Sequence, residues 1–361
     1  MPRHVTTHPP VRSLRLASGV AIAAVALAGC STPASDEADD DKIVVSTFPF
    51  GVEQFQEAVV DPFTEATGIE VEIETGSNSD RLSQLELAAG DPGVDVMLMS
   101  DTYVALGQEK DLFERIDADD VPAIDDVAQL GTEGAYAGPA YAYQLNGTLY
   151  DTDKLTAEAA ADWSLYADKD LAGRVALPDI STSSGQLLVA GVGETYGDGP
   201  YDIDAALGEL AGWSPNVLQF YTSSTEVTNL LTQGEIVAAN SLSGFAIGLA
   251  ENDDSFAFAQ PASGAYMTTN HAVIPAGAPN EDGAKQFIDY MLSAEAQTAA
   301  AELVGDLPVN PEAKIPASTT AVLGDIPADP LAAGYQTLDP AEVVPERDEL
   351  VERFAREVTA G

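Results

Sequence analysis

Strand-like and helix-like patterns alternate along residues 42–110, and this order constrains the fold more than any other feature of the sequence. The run 42–47 (KIVVST) is short and apolar, which predicts a buried strand. Apolar residues at a spacing of four in 52–67 predict a helix, and Gly68 suits its C-terminal end. Two further strand and helix pairs follow, and the first of their strands alternates strictly over 69–74. The order β-α-β-α-β-α predicts an open, mainly parallel sheet with helices on its faces.

Three strand ends in this region carry polar or aromatic residues directly before a predicted helix. Open α/β sheets bind ligands at the carboxyl ends of their strands, where free helix N–H groups also point. Ser, Thr, Asp and Asn are also the ordinary helix caps, so each residue alone has a structural explanation. Because three such ends converge in a parallel sheet, we predict a shared binding site. Its candidate residues here are Thr47, Phe48, Ser77, Asn78, Ser100, Asp101 and Tyr103.

A second α/β unit is predicted between residues 148 and 255. Its strand 173–179 is followed by a cluster of Ser and Thr that opens a helix, and 234–241 returns to strand. Two extended segments, 138–146 and 266–275, flank the unit. Further helices are predicted over 151–161, 226–233, 284–292 and 346–358. These segments supply the remaining candidate site residues: Tyr143, Asp179, Thr182, Ser183, Ser184, Ser241, Tyr266, Thr268 and Asn270.

The N-terminus has the layout of a secretory signal: three arginines, an apolar run and small residues, with no acidic residue before Asp36. The run 27–30 (LAGC) resembles the bacterial lipobox, whose cysteine becomes the lipidated first residue. A membrane-spanning helix needs about 20 apolar residues, and this apolar run is shorter. The alternative to a lipoprotein signal is a plain secretory signal or a single anchor helix. We therefore expect a lipoprotein signal peptide over 1–29, lipidation of Cys30 and a disordered tether over 30–41. The chain would then work outside the cytoplasm, held at the cell membrane by its lipid.

Composition excludes several function classes. Removal of residues 1–29 takes away three arginines and no acid, so the net charge goes from −44 to −47, which repels nucleic acid and anionic lipid. An acidic surface serves solubility as well as cation attraction, so the charge does not identify the ligand. Cys30 is the only cysteine, which excludes disulfides and Cys-based metal sites. His271 is the only histidine after the signal, which excludes a histidine-rich zinc site, and we expect no metal and no cofactor.

Short motifs recur in a fixed order along nearly the whole mature chain. They are PFTEATGIEV (62–71), GS (76–77), DP (91–92), VDV (94–96), LAGRVALPD (171–179), GE (234–235), IP (274–275), AKQFI (284–288) and LPVN (307–310). Each motif is weak alone, but the ordered series resembles the extracytoplasmic solute-binding proteins of ABC importers. Within that superfamily, it is most similar to the group of polyamine-, ferric-iron- and phosphonate-binding receptors.

The resemblance implies a two-lobed periplasmic-binding-protein fold of the type II kind. Each lobe is an α/β unit with a mixed, mainly parallel sheet and flanking helices, and two hinge strands cross between the lobes. Lobe one would comprise 42–140 plus 266–361, and the hinge and lobe two 141–265. The implied function is not enzymatic: a monomer closes on a small solute in the interlobe cleft and delivers it to an ABC permease in the membrane.

The resemblance leaves the ligand open between a polyamine-like cation, slightly favoured, a phosphonate, and ferric iron in third place. The chain has TTN at 268–270 where polyamine receptors carry Trp and Asp, and LS at 242–243 where they carry Trp. The residues that remain for a modified cation box are Phe48, Asp101, Tyr103, Asp179 and Tyr266. Iron receptors typically carry adjacent tyrosines, and this chain has Phe220 and Tyr221. The hydroxyl-rich strand ends suit an oxyanion.

Two other function classes compete with a receptor. A lipid-anchored hydrolase would use Ser183 or Ser184 as nucleophile and His271 as base, but the chain lacks a Gly-x-Ser-x-Gly elbow. A lone histidine on a strand is more often structural, and we expect His271 to be so. The second competitor is a structural surface lipoprotein without ligand-induced closure.

Overall fold

The computed structural model describes residues 41–88, 90–132 and 134–360. The predicted signal peptide, the lipidation site Cys30 and the tether up to residue 40 lie outside the described residues. Within the described part of the chain, no helix combines the length and the apolar character needed to cross a membrane.

The strands of the described chain join in one eleven-stranded sheet. Their bounds are β1 Lys42–Thr47, β2 Glu70–Thr75, β3 Val96–Ser100, β4 Phe113–Glu114, β5 Ala140–Asp151, β6 Val175–Pro178, β7 Val217–Tyr221, β8 Ala238–Leu242, β9 Phe256–Ala259, β10 Met267–Pro275 and β11 Leu307–Pro308.

Helices follow most of these strands. Their bounds are α1 Val52–Phe55, α2 Asp61–Thr67, α3 Asn78–Ala88, α4 Asp101–Gln108, α5 Ala157–Ala160, α6 Ser183–Tyr196, α7 Ile203–Trp213, α8 Ser224–Thr232, α9 Ser243–Ala250, α10 Glu281–Met291, α11 Ala294–Leu303, α12 Ala317–Leu323 and α13 Pro340–Phe354. Gln56–Val60 and Ala355–Thr359 are π-helical, and short 3₁₀ turns cover Pro122–Asp126, Trp163–Ala167, Lys169–Leu171, Ser214–Asn216 and Ile326–Ala328.

The sheet has two halves that share β5. In the first half, β2, β1 and β3 are parallel, and β10 lies antiparallel between β3 and β5. In the second half, β7, β6 and β8 are parallel, and β8 and β9 pair antiparallel with β5. Each half is thus a parallel triplet whose intervening helices cross over it, as βαβ order requires. The mixed, mainly parallel α/β fold predicted from the sequence is confirmed.

The twelve-residue strand β5 runs through both halves. Its first part, up to Leu145, pairs with β10, and its second part, from Asn146, pairs with β8. Gly147 is required at this crossing because a Cβ there would lie 2.4 Å from the Phe258 ring. The helix predicted over 151–161 is wrong for most of its length, because the chain leaves β5 through turns and only Ala157–Ala160 is α-helical.

The core is built on both faces of the sheet. Val96 and Leu98 of β3 pack in one apolar cluster, whereas Met97 and Met99 pack in another on the opposite face. Such two-sided burial is typical of a parallel strand covered by helices. In the first cluster, the Phe63 ring meets the Phe287 ring edge-on with centroids 5.1 Å apart. Burying an aromatic side chain of this size contributes about 2–3 kcal/mol, so this contact anchors α2 and α10 to the same face.

Helix α13 packs against both halves. Val344, near its start, lies in the cluster that contains Met99 and Tyr103 of the first half. Phe354, at its end, lies in the cluster of Trp163 and Trp213 in the second half, with its ring 5.8 Å from Phe220. The C-terminal segment is therefore not confined to the half that contains β10.

Candidate functional site

A cavity of about 460 Å³ lies between the two halves, where the carboxyl ends of all six parallel strands meet. Five helices, α3, α4, α6, α8 and α9, begin at or beside residues that line it. The N-terminal ends of these helices therefore meet at the cavity. Side chains cap several of their first N–H groups, such as Gly185 N of α6 and Gly244 N of α9. The lining residues are Phe48, Pro49, Phe50, Gly51, Gly76, Ser77, Asn78, Ser79, Ser100, Tyr103, Gln144, Ser181, Thr182, Ser183, Ser184, Thr222, Ser223, Thr225, Leu242, Phe245, Thr268, Asn270 and Asp306.

Arg81 lies directly behind this lining in the first half, and its side chain is 4% exposed. Its guanidinium donates to the carbonyl oxygens of Ser46 and Leu98 and of Gly76, so it ties together the ends of β1, β3 and β2. It also lies 5.1 Å from the centre of the Phe48 ring. Burial lowers the pKa of Arg81 to about 10, which leaves it charged at neutral pH. Among the described residues, no carboxylate forms an ion pair with it.

A chain of hydrogen bonds leads from Arg81 to the cavity surface. Arg81 Nη2 donates to Asn78 Oδ1 at 3.0 Å, and Asn78 Nδ2 donates to Ser100 Oγ at 2.6 Å. Ser183 Oγ donates to the same Ser100 oxygen at 3.0 Å. Because Ser100 Oγ already accepts two hydrogen bonds, its own hydrogen is free to donate to a ligand. The arrangement polarises this hydroxyl toward an anionic partner.

Two more contacts join the halves across the cavity. Tyr103 Oη, from α4, donates to the Ser181 carbonyl oxygen at 3.1 Å. The Phe50 and Phe245 rings meet edge-on at 5.1 Å, although half of the Phe50 side chain remains exposed. The two halves are therefore in contact around the cavity, and we call this arrangement closed.

In the second half, the cavity wall is held by α6, α9 and β5. Thr182 Oγ1 accepts from Gly185 N and caps α6. Gln144 Oε1 accepts from Gly244 N at 2.7 Å, which fixes the start of α9 against β5. Ser184 Oγ accepts from Asn146 Nδ2 at 2.9 Å, so this hydroxyl is engaged in the network at the crossing of the halves.

Asp306 supplies the one carboxylate among the described residues of the lining, and none of those residues is Lys or Arg. Burial raises the pKa of Asp306 to about 6, and a hydrogen bond from Gln144 opposes that rise. The carboxylate is therefore mainly ionised at neutral pH. Several lining hydroxyls already donate within the protein, such as those of Ser181, Thr182 and Thr268. The cavity thus combines five helix N-termini and the free hydroxyl hydrogen of Ser100 with one acidic group.

Most of the candidate residues predicted from the sequence line the cavity. They are Phe48, Ser77, Asn78, Ser100, Tyr103, Thr182, Ser183, Ser184, Thr268 and Asn270. The structure brings these residues together from both halves, as expected for converging strand ends.

Six predicted candidates lie elsewhere. Asp101 is buried and accepts from Thr268 Oγ1 and from the backbone N–H groups of Thr102 and Thr269, so it braces β10 against α4. Its burial raises its pKa. Asp179 accepts from the backbone and hydroxyl of Ser181 in the turn before α6. The others are enclosed in the protein interior: Thr47, Tyr143, Ser241 and Tyr266.

Sequence reasoning missed several lining residues. Thr222, Ser223 and Thr225 follow β7, a short and half-exposed strand that shows no clear alternation. Phe245 lies in α9, which is apolar on all sides. Asp306 follows α11, in a loop whose position beside Gln144 depends on contacts distant in sequence. The sequence does contain a signal for Thr222 and Ser223, because these two hydroxyl residues directly precede α8, as polar residues do at the other strand ends. The others missed are Pro49, Phe50, Gly51, Gly76, Ser79, Gln144, Ser181 and Leu242.

His271 is buried and both its ring nitrogens have partners. Nδ1 lies 3.0 Å from the Gly138 carbonyl oxygen, and Nε2 lies 2.8 Å from Thr269 Oγ1. Desolvation lowers the pKa of His271 to about 4, so the imidazole is neutral at physiological pH. With both nitrogens engaged, His271 does not serve as base to Ser183 or Ser184 in this arrangement. In the described part of the chain, no cluster of acidic, His or Cys side chains has the makeup of a metal site.

Comparison with known proteins places the chain in one family. The family described as bacterial extracellular solute-binding protein matches residues 58–330. Spermidine/putrescine-binding periplasmic protein 1 of Haemophilus influenzae is 24% identical over 78% of this chain and 79% of its own length. A putative 2-aminoethylphosphonate-binding periplasmic protein of Salmonella typhimurium is 23% identical over 69% of this chain and 72% of its own.

Solved structures show the same architecture. An ABC transporter protein from Clostridium perfringens superposes with a TM-score of 0.72 and 26% identity, covering 88% of this chain and 99% of its own. This likeness confirms the predicted two-lobed periplasmic-binding-protein fold. With a family match that spans most of its length and a cleft at the strand ends, the chain belongs to the bacterial extracellular solute-binding proteins.

Proposed function

We propose that this chain is the receptor of an ABC importer and captures a small solute through an oxyanion group of the phosphonate kind. The observation that carries this proposal is the convergence of five helix N-termini on one cavity, together with the Ser100 hydroxyl, whose hydrogen is free to donate. Backbone N–H groups at helix N-termini favour negative charge. The buried charge of Arg81, which has no carboxylate partner among the described residues, adds a positive potential directly behind the same wall.

Asp306 favours a solute that also carries a positively charged group. A carboxylate in a cleft of donors favours an ammonium group on the same molecule, so a zwitterion such as an aminophosphonate fits both ends. The Salmonella relative is named for such a compound. This ranking differs from the slight preference for a polyamine-like cation that the sequence suggests, because Asp101 and Asp179 are engaged away from the cavity.

A polyamine is the second candidate. Asp306 together with the aromatic rings of Phe48 and Tyr103 offers one site for an ammonium group, and the Haemophilus relative is named for polyamines. Ferric iron has less support, since the Tyr221 hydroxyl donates to the Asn240 carbonyl oxygen inside the core.

The deciding experiment compares matched probes by thermal shift of the full chain. The probes are 2-aminoethylphosphonate, ethylphosphonate, ethanolamine, putrescine, spermidine and ferric citrate. A ligand at about 1,000 times its Kd stabilises by about 4 kcal/mol, which shifts the melting temperature by several degrees. We expect 2-aminoethylphosphonate to give the largest shift and ethylphosphonate to retain part of it. A shift with putrescine and none with ethylphosphonate would support the polyamine alternative instead.

Variants separate the two ends of the solute. Asp306→Asn should weaken the binding of 2-aminoethylphosphonate by about tenfold, the effect of losing one charged hydrogen bond. It should not weaken the binding of ethylphosphonate, because the variant removes a like charge from the cavity. Asp254→Asn, at an exposed position outside the cavity, is the matched control. Equal losses for both probes would contradict the role given to Asp306.

We infer that the two halves of the sheet are the two lobes, with 42–140 plus 266–339 in lobe one and 141–265 as the hinge and lobe two. The sequence predicts residues 340–359 in lobe one. We leave them outside both lobes because Phe354 and Val358 pack in the core of the second half. We also infer that the chain acts as a monomer and is anchored at the outer side of the membrane through lipidated Cys30. It passes its solute to a permease and does not transform it chemically. Metabolic labelling with a fatty acid, compared between the full chain and Cys30→Ala, tests the anchor.

A further inference from the structure

A second cavity of about 220 Å³ lies between α6, α7 and α13, away from the solute cleft. It shares no lining residue with that cleft. Most of its wall is apolar, from Val189, Ala190, Pro200, Ile203, Leu338, Val343 and Leu350. A dry cavity of about 150 Å³ is known to hold one benzene molecule, so this volume suits a ring-sized occupant.

One polar side chain in the wall has no partner. Gln186, in α6, is 6% exposed and lines this cavity. Neither its Nε2 nor its Oε1 forms a hydrogen bond within the described part of the chain. Buried polar groups are nearly always paired, and an amide that lacks both a donor and an acceptor partner calls for an explanation. A carboxamide on an occupant satisfies both atoms at once, because it also carries one donor group and one acceptor.

The mouth of the cavity is acidic. Glu342 and Glu346 are exposed and lie four residues apart on α13, on the side that lines the cavity. No basic side chain belongs to the described lining, and the remaining polar group is Tyr201, whose hydroxyl accepts from Asp339 N at 2.9 Å. Two like charges at this spacing favour a cation placed between them.

We propose that this cavity is a second small-molecule site, for a flat, apolar-bodied compound with a carboxamide at one end and an ammonium group at the other. The carboxamide pairs with Gln186 in the buried part, the ring fills the apolar wall, and the ammonium group lies at Glu342 and Glu346. The site is independent of which solute the cleft binds.

The test uses 4-(aminomethyl)benzamide and two analogues that each lack one end, benzamide and benzylamine. Binding to the full chain is measured by NMR titration. We expect the complete probe to bind at millimolar concentration and at least five-fold more tightly than either analogue. No binding by the complete probe, or equal affinity for all three, would overturn the proposal.

Variants assign each end of the probe. In Gln186→Leu, the complete probe should bind no better than benzylamine, while the free chain should melt at a higher temperature because a buried unpaired amide is gone. In Glu342→Gln/Glu346→Gln, it should bind no better than benzamide. The control Glu349→Gln/Glu352→Gln removes the same charge from exposed positions of the same helix outside the cavity. Equal losses in both double variants would show a general charge effect and contradict the site.

A last variant tests whether the probe binds in the solute cleft instead. Asp306→Asn removes the carboxylate of that cleft and should leave the affinity for 4-(aminomethyl)benzamide unchanged. A loss of binding in Asp306→Asn would place the probe in the cleft and refute the second site.

Discussion

Ser183 Oγ donates a hydrogen bond to Ser100 Oγ at 3.0 Å, and this contact joins the two halves of the sheet across the solute cleft. Ser100 also accepts from Asn78, which in turn is held by Arg81. One hydroxyl thus receives hydrogen bonds from both halves, and Asn78 links it to the buried charge of Arg81.

The first prediction concerns this serine. Ser100→Ala should lower the affinity for ethylphosphonate about tenfold, because it removes a donor to the oxyanion and the acceptor that receives Ser183. Isothermal titration of the full chain measures the change. Ser164→Ala, at an exposed position outside the cavity lining, should have no effect. An unchanged affinity in Ser100→Ala would remove this residue from the site.

The second prediction concerns Arg81. Arg81→Lys keeps the charge, but a lysine ammonium group cannot donate to three carbonyl oxygens and Asn78 at once as the planar guanidinium does. The variant should therefore lower the free energy of unfolding by about 2–4 kcal/mol. Arg174→Lys, which changes an exposed arginine with one hydrogen bond to the Gly234 carbonyl oxygen, should stay within about 0.5 kcal/mol of the unaltered chain. Urea unfolding gives both values. Equal effects would show that Arg81 does not clamp the strand ends.

The third prediction concerns Phe50 and Phe245. Their edge-on contact stabilises the closed arrangement by about 1 kcal/mol, so Phe50→Ala should release 2-aminoethylphosphonate about five-fold faster without slowing its association. Stopped-flow measurements separate the two rates. Leu331→Ala, which removes an exposed apolar side chain outside the cavity, is the control. Slower association with unchanged release would mean that Phe50 guides entry rather than holding closure.

The fourth prediction concerns pH. Because the folded pKa of His271 is about 4 and the unfolded value is about 6.5, the unfolded chain binds the proton more readily. The contribution of His271 to stability is complete above pH 6.5 and falls as the pH drops toward 4, by about 3 kcal/mol in total. Asp306 has the opposite slope, since its raised pKa makes folding more favourable as the pH falls through about 6.

The two slopes overlap, so His271 must be observed directly. We expect the NMR signal of its imidazole C2 proton to titrate with a midpoint below pH 5 in the folded chain. The unfolded chain in urea supplies the reference. A folded midpoint near 6.5 would contradict the buried, neutral histidine.

The sequence predicts the site best where a strand and a helix pattern meet at small polar residues. The ends of β1, β2, β3 and β6 satisfy this condition, and residues such as Ser77, Ser100 and Thr182 line the cavity. The end of β7 does not, because its five residues are mostly half-exposed and show no period. Local pattern thus identifies strand ends only when the strand itself is recognisable.

The acidic groups were the hardest to predict. The sequence alone does not distinguish Asp101, Asp179 and Asp306 from one another. Their roles differ because their surroundings in the fold differ. Asp101 accepts local hydrogen bonds under β10, and Asp179 closes a turn, so neither is available in the cleft. Asp306 reaches the cleft through the packing of α11 and β11 beside β5, which no local pattern encodes.

The shared strand β5 also has a thermodynamic consequence. Its residues complete the hydrogen-bond ladder of the first half up to Leu145 and that of the second half from Asn146 onward. Neither half keeps a full sheet if this strand detaches, so loss of one half exposes an edge of the other. Heating should therefore melt the whole body in a single cooperative transition.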